Sequence, residues 1–241
     1  MDVRDYSRQT ALPQIGEIGQ KKLFGSRVLV VGAGGLGSAA LYYLCAAGIG
    51  TLGIVDFDTV SKSNLNRQIL HTEQDIGLFK TQSAIKKLSA LNPHANLIEY
   101  RERLHEGNID KIVKDYDIVV DCVDSQSARL IVAKACTDHS IPLVEAGIEG
   151  FSGFVMSHIP NSACYGCLHS GAAVETGRKI PVLGATAGVA GSIQASECIK
   201  LLLKAGEPLI NKILYFDLLH SEFETIQTAR NPLCKVCAAT S

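Results

Sequence analysis

No apolar run in this sequence approaches the roughly 20 residues that a membrane-spanning helix requires, so no membrane partner is expected. Nor is there an excess of charge of either sign. Lysine and arginine total 23 against 24 aspartates and glutamates, a formal net charge of -1, and nothing in that balance offers a basic field for nucleic acid. The opening MDVRDYSRQT is polar and charged, unlike the apolar core of a secretory signal, so a cytoplasmic location is the expectation. Internal repeats, low-complexity tracts and a Pro/Gly/Ser-rich linker are missing as well. Tryptophan is absent, which excludes nothing. What remains is 241 residues, 46% of them hydrophobic and 20% charged. That suits one substantial core better than two full domains. Residues 1–241 read as one domain, with a nucleotide-binding part over 1–150. An antiparallel extension, a crossover loop and a cysteine site follow over 151–241.

The apolar pattern alternates. Strands are expected at 28–31, 51–55, 97–100, 118–121 and 143–146. Helices are expected at 38–47, 75–91, 109–114 and 127–139. Strands alternating with helices imply a Rossmann-like, mainly parallel sheet covered on both faces. After residue 150 the pattern changes. Strands at 151–158, 212–217 and 222–227 surround a polar loop at 169–179 and a helix near 184–205, so the sheet is expected to end in antiparallel strands.

Gly32-Ala-Gly34-Gly35-Leu-Gly37 follows the first strand and opens a helix. This is G-x-G-x-x-G in the context it needs. The glycines permit a tight turn and a close backbone approach to phosphate, and the helix N-terminus supplies N–H groups and positive potential. Asp56 follows the second strand, 24 residues after Gly32, where an acid accepts from ribose hydroxyls. Asp58 joins it as a nucleotide-binding candidate; its plainer role is to cap or solvate the loop. The motif indicates a nucleotide and leaves open which one, a nicotinamide or flavin dinucleotide included.

The next stretch favours ATP. From Ser61 the chain reads Ser-Lys-Ser-Asn64-Leu-Asn-Arg67-Gln-Ile-Leu-His71, and Lys80 follows. A dinucleotide site has no need of this polar density, whereas a triphosphate must lose charge repulsion before a carboxylate attacks its α-phosphorus. Arg67 and Lys80 are suited to supply that charge. Each alone would read as a solvated surface cation. Further on, a strand runs into Asp121-Cys122-Val-Asp124, which sets a carboxylate at the C-terminal sheet edge, where open α/β sheets bind ligands. Asp124 there is a candidate to hold Mg²⁺ against the phosphates; its alternative is to cap the following helix.

Eight cysteines without an export signal do not suggest a disulfide framework. Four form two chelating pairs, Cys164-Tyr-Gly-Cys167 and Cys234-Lys-Val-Cys237, with 66 residues between them. Two such turns complete a closed tetrahedral zinc site, which would staple the C-terminal tail onto the middle of the chain. Redox-active dithiols are the alternative. Cys45, Cys122, Cys136 and Cys198 are expected to pack in the core.

Taken in order, Arg8-Gln-Thr, the glycine loop, Val55-Asp-Phe-Asp58, Ser63-Asn-Leu-Asn-Arg-Gln68, Asp121-Cys-Val-Asp124 and Gly191-Ser-Ile-Gln-Ala-Ser-Glu197 resemble the MoeB/ThiF/HesA adenylyltransferases, relatives of ubiquitin-activating enzymes. The resemblance runs from Tyr6 to Cys237. It implies adenylation, by ATP and Mg²⁺, of the terminal glycine carboxylate of a ubiquitin-like sulfur-carrier protein ending in Gly-Gly. It also implies roles: Asp56 on the ribose, Asn64, Arg67 and Lys80 on the phosphates, and Asp124 on Mg²⁺. Arg8 would reach into the partner's site of a homodimer, and one structural zinc would sit on the four cysteines. Many relatives carry a reactive cysteine in the loop before the late helix; here the loop His169-Ser-Gly-Ala-Ala-Val-Glu-Thr-Gly-Arg-Lys179 has none. The expectation is therefore that the chain stops at the acyl-adenylate and a separate sulfur donor attacks it. Ser125 stands where relatives often have asparagine. Three rivals are a threonylcarbamoyladenosine dehydratase-like enzyme acting on tRNA, which the charge balance and the cysteine pairs disfavour, a nicotinamide oxidoreductase, which leaves the Asn64/Arg67 cluster and Asp124 unexplained, and a non-catalytic binder of a ubiquitin-like protein.

Overall fold

The computed structural model describes residues 2–168 and 180–238. The polar loop at 169–179, which the sequence shows to lack a cysteine, lies outside the described residues. Eight strands form one sheet: β1 (Arg27–Val31), β2 (Thr51–Val55), β3 (Asn96–Tyr100), β4 (Ile118–Asp121), β5 (Leu143–Glu149), β6 (Ser152–His158), β7 (Lys212–Asp217) and β8 (Glu222–Gln227). Their spatial order is β3-β2-β1-β4-β5-β6-β7-β8. The first five run parallel, and β6, β7 and β8 continue the sheet antiparallel.

The helices are α1 (Ser7–Thr10), α2 (Gly16–Gly25), α3 (Gly35–Ala46), α4 (Lys80–Leu91), α5 (Ile109–Val113), α6 (Gln126–Asp138), α7 (Tyr165–Leu168) and α8 (Gly184–Leu203). Side chains alternate faces along a strand, and the apolar residues of the central strands use both. Val28 and Val30, with Leu52, Ile54 and Val120, pack against Leu41 and Leu44 of α3, Leu88 of α4 and Ala195 of α8. Leu29 and Val31, with Val119 and Leu143, pack against Ile112 of α5 and Val132 of α6. Cys164, Cys234 and Cys237 join this second cluster, so the cysteine pairs sit on the α5–α6 face. All four lone cysteines are buried. Among the described residues no helix is long and apolar enough to cross a membrane.

Several boundaries differ from the sequence reading: α3 begins at Gly35 and not at 38, β5 runs on to Glu149 and not 146, and the largest difference is at α4. The helix expected from Asp75 begins at Lys80; Glu73–Asp75 is a separate single turn of 3₁₀ helix. Gly77 between them sits at φ +88, a left-handed conformation that ends helical geometry.

The strand order places β1 between β2 and β4. Connections therefore leave the sheet in opposite directions at the C-terminal ends of β1 and β4. Such a switch point opens a crevice between diverging loops.

Candidate functional site

The loop after β1 is fixed by contact more than by sequence convention. Gly32 sits at φ +99, and a Cβ on it would lie 2.7 Å from the Cys122 carbonyl oxygen. A Cβ on Gly37 would lie 1.9 Å from the Gly32 carbonyl oxygen. The loop thus folds back against both α3 and the end of β4, which only glycine permits at these points. The Ala33 peptide is held from both sides. Its N–H donates to Asp56 Oδ2 at 2.9 Å, and its carbonyl accepts from His71 Nε2 at 2.9 Å. No side chain caps α3, and its first turn holds no acid. Its first-turn N–H groups are left to face an anion.

Asp56 is buried, with Oδ1 accepting from the Asp58 N–H at 2.8 Å. Burial raises its pKa, and the nearby Lys80 charge pulls the other way. Lys80, at the first position of α4, is buried too. Its Nζ lies 2.8 Å from Asp58 Oδ2 and 3.9 Å from Asp56 Oδ2. Asp58 is half exposed. It therefore neither caps nor merely solvates its loop, but serves as the counter-ion of the buried lysine.

Arg67 lies directly over the glycine loop: a Cβ on Gly35 would meet the Arg67 carbonyl oxygen at 3.5 Å and Cγ at 3.8 Å. Its Nη1 donates to the Ser63 carbonyl and to Asn66 Oδ1, each at 3.0 Å. Asn64 Oδ1 accepts from the Ser61 N–H at 3.2 Å and closes a capping box on its own turn. Asp124 is exposed, two residues beyond the Cys122 that touches the loop. Ser125, not Asp124, caps α6, accepting from the Ala128 N–H at 3.3 Å. The capping alternative for Asp124 is removed. Gly34, Gly35, Gly37, Asp56, Asp58, Arg67 and Lys80 are thus gathered by direct contacts, with Asp124 on the adjoining loop.

Arg8 is not brought to this crevice. It is exposed on α1, and its neighbour Gln9 donates to Gln20 Oε1 and to the Ala47 carbonyl. Ala47 caps the C-terminal end of α3, whereas the glycine loop opens the N-terminal end. Twelve residues of helix separate the two ends, about 18 Å at 1.5 Å per residue.

The four paired cysteines converge. Cys164 Sγ lies 3.9 Å from Cys167 and 3.7 Å from Cys234, and Cys167 lies 3.4 Å from Cys237. All four sulfurs fall within 4.8 Å of one another. Tetrahedral ligands about 2.3 Å from one ion would stand roughly 3.8 Å apart, so the donor set fits a metal. Backbone N–H groups of Asn231 and Val236 point at Cys167 and Cys234 sulfurs, each at 3.4 Å. Such donors favour thiolate.

Sequence reasoning passed over four residues at the site. His71 Nε2 donates to the Ala33 carbonyl, and Nδ1 faces Ser83 Oγ at 2.9 Å, where the neutral ring accepts from the Ser83 hydroxyl. Burial, with Lys80 and Lys87 nearby, lowers its pKa. Gln68 is buried beside Gly34, and its Oε1 has no partner among the described residues. Gln194 of α8 donates to the Asp121 carbonyl at 2.6 Å and fixes the end of β4. Arg129 of α6 is buried under the 121–124 loop, with Nε donating to Asp121 Oδ2 at 3.2 Å. His71 and Gln68 stand inside the polar stretch and were signalled by it. Gln194 stands in the 191–197 motif and Arg129 in a helix of mixed polarity, and only the tertiary contact reveals what each does.

A switch-point crevice with a glycine cradle, an acid after β2 and cations over the loop defines a nucleotide-binding α/β protein. The chain belongs to the ThiF family, whose model matches residues 6–236. It is similar to the SAMP-activating enzyme E1 of Haloferax volcanii, 39% identical over 236 residues, covering 96% of this chain and 87% of that protein. It is also similar to the sulfur carrier protein adenylyltransferase of Thermus thermophilus, 41% identical over 242 residues, covering 96% of this chain and 89% of that protein. Among solved structures, Escherichia coli MccB with ATP matches at a TM-score of 0.81 and 25% identity, over 90% of this chain and 68% of that one.

Proposed function

We propose that the chain is an ATP-dependent adenylyltransferase. Its substrate is the terminal glycine carboxylate of a ubiquitin-like sulfur-carrier protein ending in Gly-Gly. The observation that carries the reading is the doubly clamped Ala33 peptide, with Asp56 on one side and with Arg67 and Lys80 beside it. It joins a ribose acceptor and two cations to one phosphate cradle. The names of the Haloferax and Thermus relatives, and the crystal structure of MccB with ATP, support it.

In this reading the first-turn amides of α3, from Gly35 to Gly37, face the phosphates, with Gly34 leaving room for their approach. Asp56 accepts from the ribose. Lys80 exchanges Asp58 for a phosphate oxygen, so its buried charge is never unpaired. Arg67 gives up its backbone carbonyl partner for the triphosphate, and Asn64 keeps its turn in place through Oδ1, which leaves its amide NH₂ to donate to phosphate. The carrier's carboxylate oxygen forms a bond to the α-phosphorus, and the bond from that phosphorus to the β-phosphate bridge breaks. The products are acyl-adenylate and pyrophosphate. A carboxylate is ionised at neutral pH, so no general base is needed, and rate comes from positioning and charge neutralisation. Asp124 would hold Mg²⁺, which supplies further neutralisation of phosphate charge. Cys164, Cys167, Cys234 and Cys237 would hold one structural Zn²⁺, which supplies cross-linking and no chemistry.

Arg8 acts in trans, from the partner of a homodimer; its distance from its own glycine loop supports that assignment. Transfer of sulfur falls to a separate donor, since the 169–179 loop has no cysteine. The whole of 1–241 works as one domain, in the cytoplasm, without nucleic acid. Arg67→Ala and Asp124→Ala should each abolish carrier-dependent exchange of pyrophosphate into ATP. Near-normal exchange in both would mean that the phosphates lie elsewhere.

A further inference from the structure

Arg129 lies between the two halves of the molecule's chemistry. Its guanidinium holds the loop that carries Asp124 at two points: Nε donates to Asp121 Oδ2 at 3.2 Å, and Nη2 donates to the Val123 carbonyl at 3.2 Å. Nη2 also donates to the Ala146 carbonyl of β5 at 2.7 Å, so the loop is tied to the sheet. The other side of the same group rests on aromatic rings. Its carbon lies 4.8 Å from the Tyr165 ring centre and 5.7 Å from that of Phe154. Those rings stack on each other, 6.0 Å apart and 10° from parallel. Tyr165 stands between Cys164 and Cys167, in a helix of four residues. A helix that short has little stability of its own, so the four-cysteine set fixes where the Tyr165 ring sits.

Charge is balanced along the same line. Burial, then the charge of Asp121, push the Glu145 carboxyl up to about 8. The carboxylate that meets the Arg129 guanidinium directly is Asp121, through the Nε–Oδ2 contact. Glu145 Oε2 accepts from the Tyr165 N–H at 3.3 Å. The planar fork of arginine serves an acid, two carbonyls and a ring at once; a lysine ammonium is a single point and does not.

We propose that Arg129 is a positioning residue for the Asp124 loop, and that Tyr165 carries the order of the four-cysteine site to it. The cysteine site is then an outer support of the Mg²⁺·ATP carboxylate as well as a staple for the tail. This rests on the reading of Asp124 as the Mg²⁺ residue. Calorimetric titration of a non-hydrolysable ATP analogue, with and without Mg²⁺, tests both on the full-length protein. Asp124→Ala should weaken Mg²⁺-loaded binding and leave Mg²⁺-free binding unchanged. Arg129→Lys should do the same by about tenfold, the scale of a lost outer-shell contact, and should add nothing in an Asp124→Ala background. Tyr165→Leu, one contact further out, should reproduce the pattern by about threefold, below the roughly tenfold of a lost outer-shell partner, with Tyr165→Phe restoring the wild-type value. The Tyr165 pair decides the matter if Arg129→Lys does not fold. An Arg129→Lys or Tyr165→Leu effect that is equal without Mg²⁺, or that adds in full to Asp124→Ala, overturns the inference while the Asp124 reading survives. An Asp124→Ala protein that binds Mg²⁺·ATP normally overturns both.

Discussion

The two ends of the sheet are held by different physics. Around β1, β2 and β4 every strand residue except Arg27 is buried, and at Gly32 and Gly37 the glycine loop is pressed against backbone so closely that a single methyl group does not fit. At the other end all six residues of β8 are exposed, including Phe223 and Ile226. Burial of apolar surface, at about 25 cal/mol per Å², therefore does little for that edge strand. The chain beyond it returns to the body through Cys234 and Cys237. Dense packing specifies the nucleotide cradle, and the proposed metal on the four clustered sulfurs would anchor the tail. A substitution at the first end should therefore act on fold and binding together, whereas one at the second should separate them.

The largest effect is expected at Gly37. Gly37→Ala must displace the Gly32 carbonyl, and should lower unfolding stability by roughly 3 kcal/mol or more and abolish ATP binding, as read by urea melts and calorimetry. A variant with native stability would break the claim that the cradle is sterically fixed. Next comes the tail. Cys234→Ser with Cys237→Ser should drop the metal content from one per chain towards zero. It should open residues after 228 to limited proteolysis and lower stability on the order of 1–2 kcal/mol. Mg²⁺-free nucleotide binding should persist; its complete loss would show that the two ends are not separable.

A smaller effect is expected from His71. Its folded-state pKa lies below the usual 6.5 because of burial. Below that pH the unfolded chain takes up a proton that the folded chain refuses, so stability is present above about pH 6.5 and lost on acidification. His71→Gln keeps a donor for the Ala33 carbonyl and should flatten this acid limb, so that the stability difference between melts at pH 7 and pH 5.5 shrinks. An unchanged limb would mean that His71 titrates as it does in the unfolded chain. The smallest effect on stability is at Gly34, where a Cβ would stand 3.5 Å from Gln68 Nε2. Gly34→Ala should melt within about 0.5 kcal/mol of wild type yet bind ATP more weakly. Equal losses at Gly34 and Gly37 would erase the distinction between a glycine needed for folding and one needed for phosphate approach.

The sequence carried the parallel half well, because each of its determinants is local. Val28–Val31 is a run of β-formers closed by glycine, and Asp56 and Lys80 occur at distances that only strand and helix lengths set. The cysteine pairs were legible for the same reason: two chelating turns announce themselves. The helix start at Lys80 was misplaced because one glycine at φ +88 outweighed the apolar periodicity. Asp58 was left between two roles because its partner, Lys80, is 22 residues away. Arg129 and Gln194 were invisible for a deeper reason. Polar residues in a helix look like a solvated face until the fold turns them inward on the β4 loop.

The measurement that tests the central claim most directly is pyrophosphate exchange into ATP with a small carrier protein ending in Gly-Gly, set against the same protein lacking its last glycine. The account predicts exchange with the intact carrier and none with the shortened one. Equal exchange with both, or with neither while ATP is bound, would contradict it.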